Sequence, residues 1–319
     1  MVFIYAVLVF LVLRFSVTLF NFLSNPKLGY YGKHFTDKVS VIVLSDQLGA
    51  DVQGLLDSIA LQDYTHIEIL VQTNESEAEL AARASGSYLL FLGGATTIHR
   101  GLINSLIYRT KVFNLAVLGL LPTFRPSGFR EYCIYPLNYF VLLNLLPLRL
   151  IRLSNLPAFA AGTRDCLFFD AATYKEFYWH TELGKLDWTG TDMVKLVKQQ
   201  QQKAEVLLGN KFIYSNKGGE PGKGLSGRLL ANFGNNGIVA LVYLALVIAG
   251  PVLVLFNFDP ALAMLPVGLI FLSRIMIAFL TAQNPLFNVL LHPLQMLLLF
   301  VLLLKGIWMH MLESIKLKK

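Results

Sequence analysis

The stretch VSVIVLSDQLGADVQGLLDSIALQDYTHIEILVQTNESEAELAARASGSYLLFLGG, residues 39–94, decides the fold. It contains three short apolar runs, Val39–Leu44 (VSVIVL), His66–Val71 (HIEILV) and Ser87–Leu92 (SYLLFL). Runs of this length, rich in β-branched and aromatic residues, predict strands, and the first is buried-strand in character. Between them Val52–Leu61 and Ser76–Ser85 carry their apolar residues at helical spacing. Strands joined by helical crossovers form a parallel sheet, whose ligand chemistry gathers at the carboxyl ends of the strands. The third run ends in Gly93 and Gly94, so those two residues stand at the expected site.

Outward from this stretch the apolar residues are unevenly spread. The chain has 319 residues, 55% of them hydrophobic, with a mean hydropathy of +0.56, well above a soluble domain. The excess sits in Val2–Leu23, Gly237–Phe258, Ala261–Thr281 and Leu286–Trp308. Crossing the ~30 Å hydrocarbon core takes roughly 20 mainly apolar residues, so each run qualifies as a span. Arg14 interrupts the first and Arg274 lies within the third. The first run has no basic segment ahead of it and no A-x-A cleavage site, which reads as a retained anchor. The expected division is an anchor at 1–26, a globular domain at 27–236, and membrane helices with a basic tail at 237–319.

Lysines and arginines beside spans stay cytoplasmic. Lys27, Lys33 and Lys38 follow the first span, and Lys211, Lys217, Lys223 and Arg228 precede the second. The main domain is therefore expected on the cytoplasmic side of an integral membrane protein. Four spans put Lys316, Lys318 and Lys319 on the opposite side, against the same rule, so one run is re-entrant or interfacial by this count. The net charge of +7 borders the apolar runs, which points to anionic membrane lipids rather than nucleic acid. Cys133 and Cys166 have no metal or redox spacing and read as reduced packing residues. The histidines lack the i, i+4 or cysteine partners of a metal site.

Beyond this pattern the chain carries a resemblance. VSVIVL, LLDSIALQDYTHIEILV and AARASGSYLLFLGGATTIHRGLI resemble the nucleotide-binding half of a family 2 glycosyltransferase with a GT-A fold. The likeness continues through LLPLRLIRLSNLPAFAAG, TGTDMVKLVKQ, VLLGNKFIY and GLSGRLLANFG, over nearly the whole chain. It is to the membrane-bound branch that modifies lipids, carotenoids or exported polysaccharides. The fold so implied is α/β, a GT-A-like, mostly parallel sheet domain with N-terminal and C-terminal transmembrane helices.

The functional positions of that family are largely altered. Its third strand usually ends in D-x-D, whose carboxylates hold a divalent metal against the donor diphosphate; Gly93, Gly94 and Ala95 stand there instead. A hard cation prefers oxygen ligands, so no resident metal or cofactor is expected, and Mg or Mn enters with a nucleotide-sugar only if the protein is active. Leu44, Ser45, Asp46, Gln47 and Leu48 replace the segment near the ribose, with Asp46 and Glu75 as shifted substitutes. Asn74 stands for the Asp that grips the base, so Asn74 and Ser76 are weak nucleotide-binding candidates. The family's general base resembles Asp192, which would accept the acceptor hydroxyl's proton. The alternative is that Asp192 only starts the helix Met193–Lys198 as a cap or first-turn acid.

The Q-x-x-R-W motif of processive synthases is absent; that segment reads Gly222–Arg228 (GKGLSGR). Lys223 and Arg228 suit a diphosphate or, more simply, flank a span. Glu131–Leu150 is apolar with basic residues at its end, and Pro136 and Pro147 break it, so an interfacial segment near 131–152 is expected to meet lipid. In the enzymes it resembles, that region presents a lipid-linked acceptor. His180 and Trp188 read as core residues, with an acceptor pocket and sugar stacking as their functional alternatives. Two functions follow. One is a degraded transferase serving as scaffold or regulatory subunit for a partner membrane protein; the other is an active transferase moving a sugar from a nucleotide-sugar to a lipid or envelope-glycan acceptor.

Overall fold

The computed structural model describes residues 2–45, 52–183, 188–215 and 224–316. In chain order its elements are α1 (Val2–Ser24), β1 (Val39–Leu44), α2 (Val52–Ala60), β2 (Ile67–Val71), α3 (Glu77–Arg83), β3 (Tyr88–Gly93), β4 (Thr96–Ile98) and α4 (Leu102–Phe113). Then come β5 (Val117–Leu121), β6 (Thr123–Phe124), α5 (Phe129–Leu145), α6 (Arg149–Leu153), β7 (Cys166–Asp170), α7 (Ala171–Phe177), α8 (Trp179–Leu183) and α9 (Gly190–Gln199). The remainder are β8 (Ala204–Leu208), β9 (Ile213–Ser215), α10 (Leu225–Ala231), α11 (Gly237–Leu244), α12 (Gly250–Asn257), α13 (Pro260–Leu280), α14 (Pro285–Leu290) and α15 (His292–Lys316). A π-helical turn, Ala245–Ala249, joins α11 to α12. Two compact units result: Pro26–Arg125 with Leu148–Lys217, and Met1–Asn25 with Pro126–Pro147 and Gly218–Lys319.

The first unit is built on a six-stranded sheet in the order β2-β1-β3-β7-β5-β8. The three strands expected from the opening stretch are parallel, with Val39 of β1 opposite both Ile67 and Tyr88. β5 and β8 are parallel as well, while β7 runs antiparallel to both of its neighbours. β1 and β3 are buried along their whole length, which is why they read as unbroken apolar runs rather than alternating ones. Edge strand β2 exposes Ile69 and Val71. A small second sheet, β4-β9-β6, follows directly from the ends of β3 and β5. The core beneath joins Val41, Leu90 and Phe168 of the sheet to Leu106 and Ile107 of α4. Cys133 and Cys166 are both buried free thiols.

Glu68 ties β2 to β1 and to the loop before β3. It accepts hydrogen bonds from the Ser40 hydroxyl, from the Ser85 amide at 3.0 Å and from the Ser85 hydroxyl at 2.8 Å, with Lys38 Nζ at 3.6 Å. The Ser40 bond above all, then the Ser85 bonds, hold its carboxyl at about 2 instead of the ordinary 4.5. A depressed acid stabilises the fold fully above its unfolded value and loses that contribution as pH falls through its folded one. The stability gap between wild type and Glu68→Gln is therefore expected to be constant above pH 4.5 and to close between there and about pH 2. Denaturant titrations at stepped pH measure it; a gap unchanged across that window would refute the network.

The second unit holds four helical segments long and apolar enough to cross a membrane, Phe3–Ser24, Gly237–Asn257, Pro260–Leu280 and His292–Leu312. These mark an integral membrane protein. The last differs from the expected Leu286–Trp308. The Asn284 side chain caps a separate α14 by accepting from the amides of Leu286 and Phe287, and α15 starts afresh at His292 with Pro293 in its first turn, where a missing N–H is harmless.

The expected break at Pro136 is also absent: α5 runs through it and is buried over much of its length. Proline removes the donor for the carbonyl four residues earlier, here that of Tyr132. Gln295 Nε2 from α15 donates to that carbonyl at 3.0 Å. Asn21 Nδ2 in turn donates to the carbonyls of Leu143 and Leu146 at 3.0 and 2.9 Å, satisfying the end of α5.

Candidate functional site

The carboxyl ends of β1 and β3 meet the N-terminus of α3, the loop before β7 and the N-terminus of α9. Backbone bonds close the strand ends. The Gly94 amide donates to the Leu44 carbonyl at 2.8 Å, the Gly93 amide to the Asp165 carbonyl at 3.1 Å, and the Thr96 hydroxyl to the Gly93 carbonyl at 2.7 Å. Gly93, Gly94 and Ala95 thus occupy the turn between β3 and β4, and none of them brings an oxygen-bearing side chain.

A carboxylate does stand beside Gly93, delivered by the residue just before the neighbouring strand β7. Asp165 is 4% exposed and accepts from the Thr163 hydroxyl at 2.8 Å. A Cβ on Gly93 would begin 3.0 Å from Asp165 Oδ1 and 3.3 Å from its Cα. Sequence reasoning missed this residue because β7 itself was missed; its only signal was the short apolar run Cys166–Phe169 between two aspartates.

Next to Asp165, the Arg164 guanidinium pairs with Glu77 at the start of α3 and lies over the Trp188 ring, 4.5 Å from its centroid. Trp188 therefore faces an arginine. His180 Nε2 is 3.3 Å from Glu77 Oε2, close but not hydrogen-bonded, and its Nδ1 is 2.7 Å from the Tyr174 hydroxyl. The natural assignment is that Tyr174 donates to Nδ1 and Nε2 carries the proton. Burial, followed by the Arg164 charge, pushes His180 down to about 3, so the ring is neutral at pH 7. Phe91 stacks on it with centroids 4.6 Å apart.

The remaining sequence candidates are committed locally or exposed. Ser76 caps α3 and exchanges bonds with Glu79 in a capping box. Asn74 is exposed on the turn after β2, and Glu75 pairs with Arg83. Asp46, Gln47 and Leu48 lie outside the described residues, as do Lys217 and Lys223, while Arg228 sits on α10 of the other unit. Asp192 lies in the first turn of α9, which starts at Gly190, three residues before the expected Met193, with Thr189 as its N-cap. Asp192 Oδ2 accepts from the Thr189 hydroxyl at 2.7 Å and amide at 3.0 Å, and its Oδ1 is 3.8 Å from Lys195 Nζ. Gly162 and Gly190 bring the flanking loops into backbone contact: a Cβ on Gly190 would stand 2.3 Å from the Thr163 nitrogen.

Among the described residues no three His, Cys, Asp or Glu side chains gather where they could hold a metal ion. One buried aspartate beside an arginine does not fit a hard divalent cation, which takes several oxygen ligands. What the arrangement does offer is a partly buried polar network that ties α3, the loop before β7 and Trp188 together.

No family model and no curated protein sequence matches this chain. Its fold is similar to that of the mannosyltransferase PcManGT from Pyrobaculum calidifontis, solved with GDP-Man and Mn2+, at TM-score 0.50 and 12% identity over 96% of this chain and 99% of that one. S. aureus TarS 1–349 with UDP-GlcNAc matches at TM-score 0.40 and 12% identity, over 88% of this chain and 92% of that one. The chain therefore has a glycosyltransferase fold of the GT-A type, together with four apolar helices of membrane-spanning length.

Proposed function

We propose that this protein is a degraded family 2 glycosyltransferase that acts as a scaffold or regulatory subunit of a membrane complex, with its α/β unit on the cytoplasmic face. One observation carries the reading. Where metal-binding carboxylates would follow β3 there are two glycines and an alanine, and the space beside Gly93 is taken by buried Asp165. A leaving diphosphate needs positive charge at that point, usually several kcal/mol worth from a metal. Here Arg164, the nearby cation, is already paired with Glu77 and seated on Trp188. The Asp192 carboxylate spends one oxygen on its own helix cap.

The test is thermal shift of the full chain with GDP-mannose and UDP-GlcNAc, the donors seen in the structural neighbours, each with and without Mn2+. A saturating ligand at about 100 times its Kd adds roughly 2.7 kcal/mol. No shift across the panel is expected. A metal-dependent shift would sink this reading and favour the second one, an active transferase acting on a lipid or envelope-glycan acceptor, with Asp192 as base. Asp165 is the observation that favours that alternative, because it supplies one carboxylate at the strand end.

Restoring the motif by Gly93→Asp alone is expected to fail. The new side chain starts within 3.0 Å of an existing carboxylate oxygen, and overpacking of this kind costs about 1–3 kcal/mol. Gly93→Asp should lower Tm, and Gly93→Asp with Asp165→Ala should recover part of the loss. Equal Tm values for the two would show that Asp165 does not fill the site.

A further inference from the structure

β2 closes one edge of the six-stranded sheet, and among the described residues no strand lies beyond it. Its register with β1 fixes which backbone groups are free. The Val39 amide donates to the His66 carbonyl at 3.0 Å and the Gln72 amide to the Val43 carbonyl at 2.9 Å, so positions 66 and 72 face β1. Residues of a strand alternate in the side to which they turn their N–H and C=O groups, so Glu68 and Leu70 face β1 as well. Ile67, Ile69 and Val71 turn theirs outward.

The same three side chains share one face of the strand. Ile67 packs against the core cluster that holds Val41 and Leu55, whereas Ile69 and Val71 are 45% and 39% exposed. The apolar face of the sheet therefore runs on past its last paired strand into solvent. Proteins blunt such an edge with lysine, proline, a bulge or a charge. β2 reads IEILV and pairs with β1 without interruption. Its one charge, Glu68, is spent inside the fold on Ser40, Ser85 and Lys38.

We infer that β2 is the interface for a second copy of this chain, the two strands pairing antiparallel about a two-fold axis at Ile69. Such a homodimer joins the same patch on both subunits, so the strand must complement itself, and its sequence does. With Ile69 opposite its own copy, Ile67 meets the partner's Val71 and Val71 meets the partner's Ile67. All three positions turn outward, so each becomes a hydrogen-bonded pair of the ladder, exchanging both of its backbone bonds. On the other face Glu68 meets the partner's Leu70, and His66 meets the partner's Gln72. The neighbouring registers are worse. One sets Glu68 against the partner's Glu68, and directly opposed like charges destabilise a sheet. The other sets Ile67 against the partner's Thr73. The inference does not depend on whether the α/β unit turns over a sugar.

The experiment uses the full chain in detergent micelles. Light scattering behind size-exclusion chromatography, over a concentration series, is expected to give a protein mass rising from that of one 35.7 kDa chain to that of two. Ile69→Lys, which sets like charges opposite each other at the centre of the pairing, should weaken the dimer roughly tenfold. Val112→Lys, which charges another exposed aliphatic residue, on α4, should behave as wild type. Cysteine cross-linking reads the register, undisturbed by Cys133 and Cys166 because both are buried. Ile69→Cys alone should form an intermolecular disulfide, since the Cα atoms of such a pair lie about 5.5 Å apart, within disulfide reach. Ile67→Cys alone and Val71→Cys alone should not, whereas a mixture of the two should. The mass of one chain at every concentration would overturn the proposal, as would a dimer unmoved by Ile69→Lys or weakened as much by Val112→Lys. Equal cross-linking of the three single-cysteine variants would overturn it too. If Ile69→Lys does not fold, the cross-linking pattern alone decides. A complex that forms only with a different protein would refute the self-pairing.

Discussion

Glu205→Ala is expected to destabilise the α/β unit by about 3–5 kcal/mol, the range for removing one partner of a buried ion pair. Glu205 sits on β8 and is 0% exposed. Three arginines surround it. Arg109 of α4 makes a bidentate contact through Nε and Nη2, both at 2.7 Å. Arg152 Nε of α6 is at 3.0 Å and Arg149 Nη1 at 3.4 Å from the same carboxylate. Arg109 and Arg152 also lie over Phe113, 4.1 and 3.8 Å from its centroid. Taking away the carboxylate leaves three like charges packed together, of which Arg149 and Arg152 can partly rehydrate and Arg109, with 10% of its side chain exposed, cannot. Arg149→Gln should be nearly neutral by contrast. Burial, and then the Arg109 charge, already pull the Arg149 pKa down, so removing it relieves strain on the cluster. Denaturant unfolding of the detergent-solubilised chain checks both; a Glu205→Ala loss no larger than that of Arg149→Gln would show that the carboxylate does not hold these elements together.

Gly190→Ala carries the second large effect, about 3 kcal/mol, the upper end of overpacking costs. The new Cβ would meet the nitrogen, carbonyl carbon and Cα of Thr163 at 2.3, 2.4 and 2.5 Å. The contact is reciprocal, since a Cβ on Gly162 would lie 2.5 Å from the Gly190 oxygen. Every clashing atom is backbone, so no rotamer change relieves it. Relief requires moving α9 away from the loop before β7, which breaks the 3.4 Å bond from the Thr191 hydroxyl to the Gly162 carbonyl. Gly227→Ala is the control, because nothing lies within 4 Å of its Cβ. Matching unfolding midpoints for the two variants would mean that the loops do not touch.

The parts that were legible in the sequence share a physical cause. β1 and β3 are buried on both faces, so their apolar runs announce them whatever packs around them. The degraded motif at Gly93–Ala95 was legible because it lies at the end of such a run. Asp165 was not, because its importance comes from the antiparallel pairing of β7 with β3, a long-range choice that leaves little mark on CLFFD. Glu205 was hidden in the same way: a charge inside a strand signals burial only once its three arginines, from distant segments, are known. The start of α9 was misjudged because Gly190 and Thr191 look like loop, whereas Thr189 caps the helix ahead of them.

Pro136 makes the chain's biosynthesis order matter. Its helix is complete only when Gln295, 163 positions beyond the Tyr132 carbonyl it serves, has been made and has arrived. A nascent chain still short of α15 leaves that carbonyl without its side-chain donor, and an unpaired carbonyl among buried residues is costly. The C-terminal helix is thus a prerequisite for a segment synthesised long before it, and trimming it injures the middle of the protein.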